Sequence, residues 1–413
     1  MKSKKGDTRK TVAPGRAIAI VGASGVAAVS SLLVTIIAAR SLTVEENKEF
    51  LVFWALMFGI FGLSNGVQTE VTRATSAARV TGKKLTKAMP VVLAMGAAIG
   101  ALVLISSPLW ATRMLPTMTY FAVCLIAVGV ALNCGQMGLS GSFAGAKLWG
   151  YYSGLIASEA LTRLVLVLAV AGVLARLWSF EAAIALPALS WFFFLITRNG
   201  RRAFRSQADV SASKLVTNVA QTMVSAASWA ALVTGFSAML EVTSPGEDPQ
   251  ILATTMLAVT LTRSPIMMPL QALQGVFISW ATESKGSKIP SIIKLFLGLF
   301  GLGAFVALLA AAFGPWAMRL LFGDQYSCPA WLLAGLSLAS VSMAWLVLSG
   351  AVALASNQHR LYALGWVLAA VTTFLLLLAL PFDAFVRSLI SLAVGPLAGT
   401  ALQLRAIWES EKI

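Results

Sequence analysis

The chain has 413 residues, 58% of them apolar and only 11% charged, and carries a net charge of +15; its mean hydropathy is strongly positive. A soluble core cannot hide that much hydrocarbon, so the composition excludes a soluble globular protein and implies an integral membrane protein. Nucleic-acid binding is excluded as well, because the basic residues form short clusters between long apolar runs instead of lining one face of a soluble domain.

At the N-terminus, Lys2, Lys4, Lys5, Arg9, Lys10 and Arg16 stand against the single acid Asp7. The apolar stretch that follows, 17–39, is too long for a signal-peptide core and lacks a clean cleavage site, so it reads as a retained first helix. The basic tail is expected to lie on anionic lipid headgroups. Further apolar spans follow at 50–71, 88–110, 118–140, 150–173, 180–197, 215–240, 251–281, 289–313, 330–355, 361–380 and 385–404, which makes twelve. The expected fold is all-α and polytopic, with twelve transmembrane helices in two six-helix bundles around a central cavity.

Basic residues test that tally independently of hydropathy. With the N-terminus cytoplasmic, 23 of the 31 Lys and Arg residues fall on inner segments and six on outer ones: Arg40, Lys48, Arg113, Arg176, Arg319 and Arg387. Arg163 and Arg263 lie inside spans. This bias fits an even number of crossings with both termini cytoplasmic, in the inner membrane of a cell. The most arginine-rich inner loop, 198–214, divides the chain, giving a basic tail at 1–16, bundles at 17–200 and 215–405 joined by a linker at 201–214, and a tail at 406–413. A modest internal echo agrees: Leu139-Ser140-Gly141 closes span 4 and Leu348-Ser349-Gly350 closes span 10, an offset of 209 residues.

The eighth span contains the feature that most needs explaining. Arg263 sits some dozen residues into a segment that crosses ~30 Å of hydrocarbon, near the midplane, where a cation is tolerated mainly if it faces a bundle interior or a wet cavity. Pro265 and Pro269 follow at once and each removes a backbone donor, so a hinge or broken helix is expected there. The bland alternative is a snorkelling or paired structural arginine in an ordinarily kinked helix.

Other runs carry a resemblance. Ala39-Arg40-Ser41-Leu42 into Glu49 to Trp54, and then Gly62-Leu63-Ser64-Asn65-Gly66-Val67-Gln68-Thr69-Glu70-Val71-Thr72-Arg73, resemble the first hairpin of polysaccharide flippases of the multidrug/oligosaccharidyl-lipid/polysaccharide superfamily. Leu261-Thr262-Arg263-Ser264-Pro265 through Leu270-Gln271-Ala272-Leu273-Gln274 resembles that family's eighth helix, and Leu321-Phe322-Gly323 its outer loop before helix 10. The resemblance implies an alternating-access flippase moving a polyprenyl-pyrophosphate-linked saccharide to the outer leaflet for cell-envelope polysaccharide assembly. Envelope polymerases or glycosyltransferases would be its partners. It implies neither enzymatic activity nor a cofactor or metal; a membrane potential or ion gradient would supply direction, at about 2.3 kcal/mol per charge per 100 mV.

The intramembrane charges fit an anionic cargo. Glu159 and Arg163 are four apart on one helical face and are expected to neutralise each other in part. Glu70 and Arg73, three apart, pair or mark the inner mouth. Arg263 then has no local partner, and a guanidinium fork matches pyrophosphate oxygens. Arg263, Arg163 and Arg73 are therefore the candidate pyrophosphate ligands, and Glu159, Glu70, Asn65, Gln68, Gln271 and Gln274 the candidate sugar or cavity groups; interhelical hydrogen bonding is the plainer role for each amide. A multidrug or cation antiporter of the same superfamily would need free buried carboxylates. A membrane glycosyltransferase using polyprenyl-linked donors would need a catalytic acid from among Glu45, Glu46, Glu49, Glu247, Asp248 and Asp324, all on short loops.

Overall fold

The computed structural model describes residues 14–283, 289–355 and 358–411. The basic tail at 1–13 and Lys285 and Lys288 lie outside the described residues, as do the side chains of Pro269, Gln271, Gln274 and His359.

Seventeen helices and one two-residue strand pair account for nearly all of the described chain. In the first half they are α1 (Pro14–Ser41), α2 (Val44–Leu63), α3 (Asn65–Thr81), α4 (Ala88–Ser106), α5 (Ala111–Met114), α6 (Thr119–Gly145), α7 (Trp149–Val173), α8 (Leu177–Ala185), α9 (Trp191–Phe194) and α10 (Arg198–Phe204). The second half contains α11 (Ala212–Val233), α12 (Phe236–Thr243), α13 (Pro249–Glu283), α14 (Ile289–Phe322), α15 (Ala330–Ala355), α16 (His359–Ala379) and α17 (Ala384–Glu411). Strand β1 (Thr86–Lys87) pairs antiparallel with β2 (Gln207–Ala208), tying the linker to the start of α4.

Among the described residues, ten helical stretches are long and apolar enough to cross a membrane, and the bent pair α11–α12 would make an eleventh. Helix α13, at 35 residues, has the length for a twelfth. The observed helices coincide with the expected spans, with two differences. The second span is a longer helical run, Val44–Thr81, with a turn at Ser64. The break expected in the eighth span is found in the seventh: α11 and α12 meet at a 68° bend, whereas α13 continues as one helix through Pro265 and Pro269. A proline ring leaves a helix whole when neighbouring groups re-satisfy the carbonyl it strands.

Local chemistry sets the ends. Thr43 and Glu46 form a capping box at the start of α2, with Glu46 N–H donating to Thr43 Oγ1 at 3.3 Å and Thr43 N–H to Glu46 Oε2 at 3.2 Å. Gly82 ends α3 with φ of 74°, a conformation that costs glycine little.

The first-half helices pack chiefly on one another, α1 on α7 and α6 on α3 and α4, while α13 through α17 form the second group. Helix α11 lies between them, against α2 and α3 on one side and α16 on the other. Close approach there depends on Gly62 and Gly66, spaced like a small-xxx-small helix contact: a Cβ on Gly66 would stand 2.5 Å from Met223 N, and one on Gly62 would overlap Ala230. The two echoed tripeptides pack differently. Gly141 abuts the Gln68 carbonyl of α3, whereas Gly350 faces Tyr362 and Gln403.

The ends of the helices differ in character. The basic end carries Arg79, Lys83, Lys84, Lys87, Lys147 and the arginines of 198–205. At the other end, residues of the two halves are clasped together: Arg40 Nε donates to the Leu321 carbonyl at 3.0 Å and its Nη2 to the carbonyls of Arg319 and Leu320. There too Asn47 donates to Tyr326 Oη at 2.9 Å and Lys48 pairs with Glu241 at 2.7 Å. One apolar core runs through this end from Phe50, Phe53 and Phe180 to Leu252, Met256 and Leu332.

Candidate functional site

A cavity of about 300 Å³ between the halves is lined by Arg263, with Arg163 packed behind the Trp54 and Phe58 rings that line its other side. From the second half, Arg263 is buried and its Nη1 donates to the carbonyls of Leu232 and Val233 at 2.9 and 3.0 Å. These carbonyls end α11 just before its bend, where four C=O groups lack intrahelical partners and the helix dipole is negative. The guanidinium carbon also lies 5.9 Å from the centre of the Phe236 ring, on the far side of the bend. No ion pair to Arg263 exists among the described residues. Expected to be uncompensated, the charge is instead met by backbone carbonyls, which satisfy one nitrogen without neutralising the cation.

From the first half, Arg163 pairs with Glu159 one turn back on α7. Its Nη1 also reaches Ser31 Oγ at 3.5 Å, and its guanidinium stacks over Phe58 at 4.7 Å and Trp54 at 5.7 Å. Trp54 and Phe58, themselves stacked at 4.5 Å, line the same cavity as Ser31, Thr35, Thr260 and Arg263. Arg263 is the one ionised side chain among the residues lining it, and none of them is acidic.

The other expected site residues lie elsewhere. Arg73 is half exposed at the basic end, where Nε and Nη2 reach the Glu70 carboxylate at 2.9 and 2.7 Å and Nη1 and Nη2 reach Asp209 at 3.3 Å. Asn218 of α11 also donates to Glu70 at 2.9 Å, so this network joins the two halves. Gln68 donates to Tyr152 Oη at 2.9 Å, and Asn65 is exposed at the start of α3. Pro265 is exposed on α13. The side chains of Gln271, Gln274 and Pro269 lie outside what the structure describes.

Sequence reasoning passed over three features. The Trp54–Phe58 pair had a signal, aromatic residues four apart on a helix opposite a charged one. Arg387, counted among the outer basic residues, is buried, donating to the Thr243 and Leu377 carbonyls, to Ser244 and to Glu247. With Arg40 and Lys48 it shows that three exceptions to the charge bias hold the fold together. Glu181 on α8 is fully buried with neither carboxylate oxygen hydrogen-bonded, and it lies within electrostatic reach of Glu49.

This arrangement of helices is the fold seen in solved MATE transporters. An inward-facing multidrug resistance MATE family transporter superposes over 96% of this chain and 99% of its own, with a TM-score of 0.69 at 13% identity. A eukaryotic MATE transporter gives 0.66 at 13% identity, covering 96% of each chain, and an outward-facing MATE family transporter 0.64 at 12%, again covering 96% of each. At these identities the likeness is one of fold.

No family model matches the chain. By sequence it belongs to the family that includes "Uncharacterized protein Rv3630" of Mycobacterium tuberculosis, which is 32% identical over 409 residues, covering 97% of this chain and 94% of the relative. The same family includes "Uncharacterized protein Mb3654" of Mycobacterium bovis, with the same identity and coverage. "Uncharacterized protein Rv1510" of Mycobacterium tuberculosis is 34% identical over 400 residues, covering 94% and 91%.

Proposed function

We propose that the chain is an alternating-access transporter whose cargo is an anionic, lipid-linked saccharide, carried by its pyrophosphate. The observation that carries this reading is the cavity between the halves, lined by Arg263 and by no acidic side chain. A cavity with a net cation selects an anion, and the guanidinium fork of Arg263 suits the phosphate oxygens of a polyprenyl pyrophosphate. At about 300 Å³ the cavity is at the lower end for a ligand site, so it widens when the halves rock apart. The cargo enters at the basic end, which on this reading faces the cytoplasm with both termini, and leaves at the end clasped by Arg40, Asn47 and Lys48.

The test is transport in proteoliposomes loaded with a defined polyprenyl-pyrophosphate sugar, scored by access of an external lectin or oxidant to the sugar. Protein-dependent exposure is expected; exposure at the rate of protein-free vesicles overturns the reading. A second reading, an ion-coupled exporter of organic cations, is favoured by the unpartnered carboxylate of Glu181 beside Glu49. Energised efflux of a cationic dye, abolished by Glu181→Gln, would establish it in place of the first.

A further inference from the structure

A second and larger cleft, about 720 Å³, opens at the basic end between the first bundle and the linker. Four basic side chains line it: Arg79 from the last turns of α3, Lys84 from the turn after it, and Arg202 and Arg205 from the linker helix α10 and its end. No acidic residue lines the cleft. Lys84, Arg202 and Arg205 form no ion pair among the described residues, and Arg79 commits only Nε, donating to the Gly145 carbonyl at 3.1 Å. Four cations held around one concavity without a counter-charge repel one another, a cost that a bound anion removes.

The walls are built, not loose. Ser142 and Ser206 hydrogen-bond at 2.8 Å across the floor, and the linker is pinned to the start of α4 by the β1–β2 pair and by Ala88 N–H donating to the Ser206 carbonyl at 3.1 Å. Gly145 lets α6 approach so near to α3 that a Cβ there would overlap the Thr75 hydroxyl. Beside the cleft, Val80 and Leu85 are 78% and 54% exposed, apolar side chains turned outward at the level where the helices end. Cations in a concavity next to bare apolar side chains match an amphiphile with an anionic head. None of the residues lining this cleft lines the cavity at Arg263.

We propose that this cleft is a phosphate-binding site, filled by the headgroup phosphate of an anionic membrane lipid or by free phosphate, with Arg79, Arg202 and Arg205 as its ligands and Lys84 at its rim. The proposal does not rest on the transport reading. The test is native mass spectrometry of the purified full chain titrated with phosphatidylglycerol and, in parallel, with phosphatidylcholine. Saturable phosphatidylglycerol binding is expected, weakened at least about tenfold in R79Q/R202Q/R205Q and by less than about twofold in K83Q/K87Q/K147Q, which removes equal charge from the same end outside the cleft. Should the first triple variant fail to fold, Arg202→Gln and Arg205→Gln alone, at exposed and unpaired positions, are each expected to weaken binding about threefold. Equal losses in both triple variants, or no preference for phosphatidylglycerol over phosphatidylcholine, overturn the site. Competition with inorganic phosphate separates the sources: displacement of the lipid assigns the site to phosphate itself, and retention assigns it to the intact lipid headgroup.

Discussion

Arg263 serves two needs at once. One nitrogen closes the end of α11, where the Leu232 and Val233 carbonyls would otherwise face a low-dielectric interior unpaired, and the rest of the group lines the cavity. On the proposed function, Arg263→Ala should abolish transport and also lower stability, by roughly 1–3 kcal/mol for each carbonyl left without a donor. Arg263→Lys keeps a charge and a donor without the planar fork, so its thermal midpoint should fall less and partial transport remain. Comparing thermal midpoints with lectin access in proteoliposomes, at equal membrane abundance, separates the two roles; full transport by the alanine variant would remove Arg263 from the cargo site. At the clasped end, burial pushes the Cys328 thiol up to about 12 and also raises Tyr326. The folded thiol keeps its proton where the unfolded one has lost it, so its contribution to stability is intact below the usual thiol range and lost as pH rises through about 12. Melting curves should show stability declining above the usual thiol pKa, less steeply in Cys328→Ser, and Cys328 should resist iodoacetamide at pH near 8 in the folded protein.

Among the elements, α11 carries the most consequence. It touches both groups of helices, its end is held by Arg263, and its approach to α2 and α3 requires Gly62 and Gly66. A Cβ at position 66 would press on the Met223 backbone, which cannot rotate away as a side chain can. Gly66→Val should destabilise the protein by about 1–3 kcal/mol through overpacking, seen as a lower thermal midpoint, whereas Gly150→Val, where a Cβ meets open space, should have little effect. Equal melting of the two variants would show that α11 does not pack this closely. The bend between α11 and α12 lies where Arg263 and Phe236 meet, at the wall of the cavity.

For the whole molecule, the contacts that hold the halves together lie at two levels. Arg40, Asn47 and Lys48 clasp one end, and Glu70 with Asn218 joins the halves near the other. Lys48 and Glu241 are largely buried, so separating them costs more than a surface pair, on the order of 1–3 kcal/mol. Lys48→Glu should therefore favour the state open at that end, with faster labelling of a cysteine placed at Leu51, and Lys48→Glu/Glu241→Lys should restore the original rate. Unchanged labelling in the single variant would mean that this pair does not control opening.

The helices were legible because each span announces itself: some twenty apolar residues have one stable solution in hydrocarbon, a helix, and the charge bias counts crossings independently. Glu159 with Arg163 and Glu70 with Arg73 were legible for the same reason, being neighbours on single helices, where spacing dictates contact. What spacing could not reveal depends on residues brought together from distant parts of the chain. The carbonyls that receive Arg263 belong to a helix end 30 residues earlier, and a backbone group leaves no trace in composition. The bend appeared at Thr234–Gly235 and not at the prolines; residue type alone does not place a break, since a membrane helix tolerates proline where its surroundings re-satisfy the backbone. Trp54 and Arg263, far apart in the chain, came to one cavity only through the packing of α2 against α13, because side-chain convergence between helices is set by three-dimensional contact and not by sequence distance.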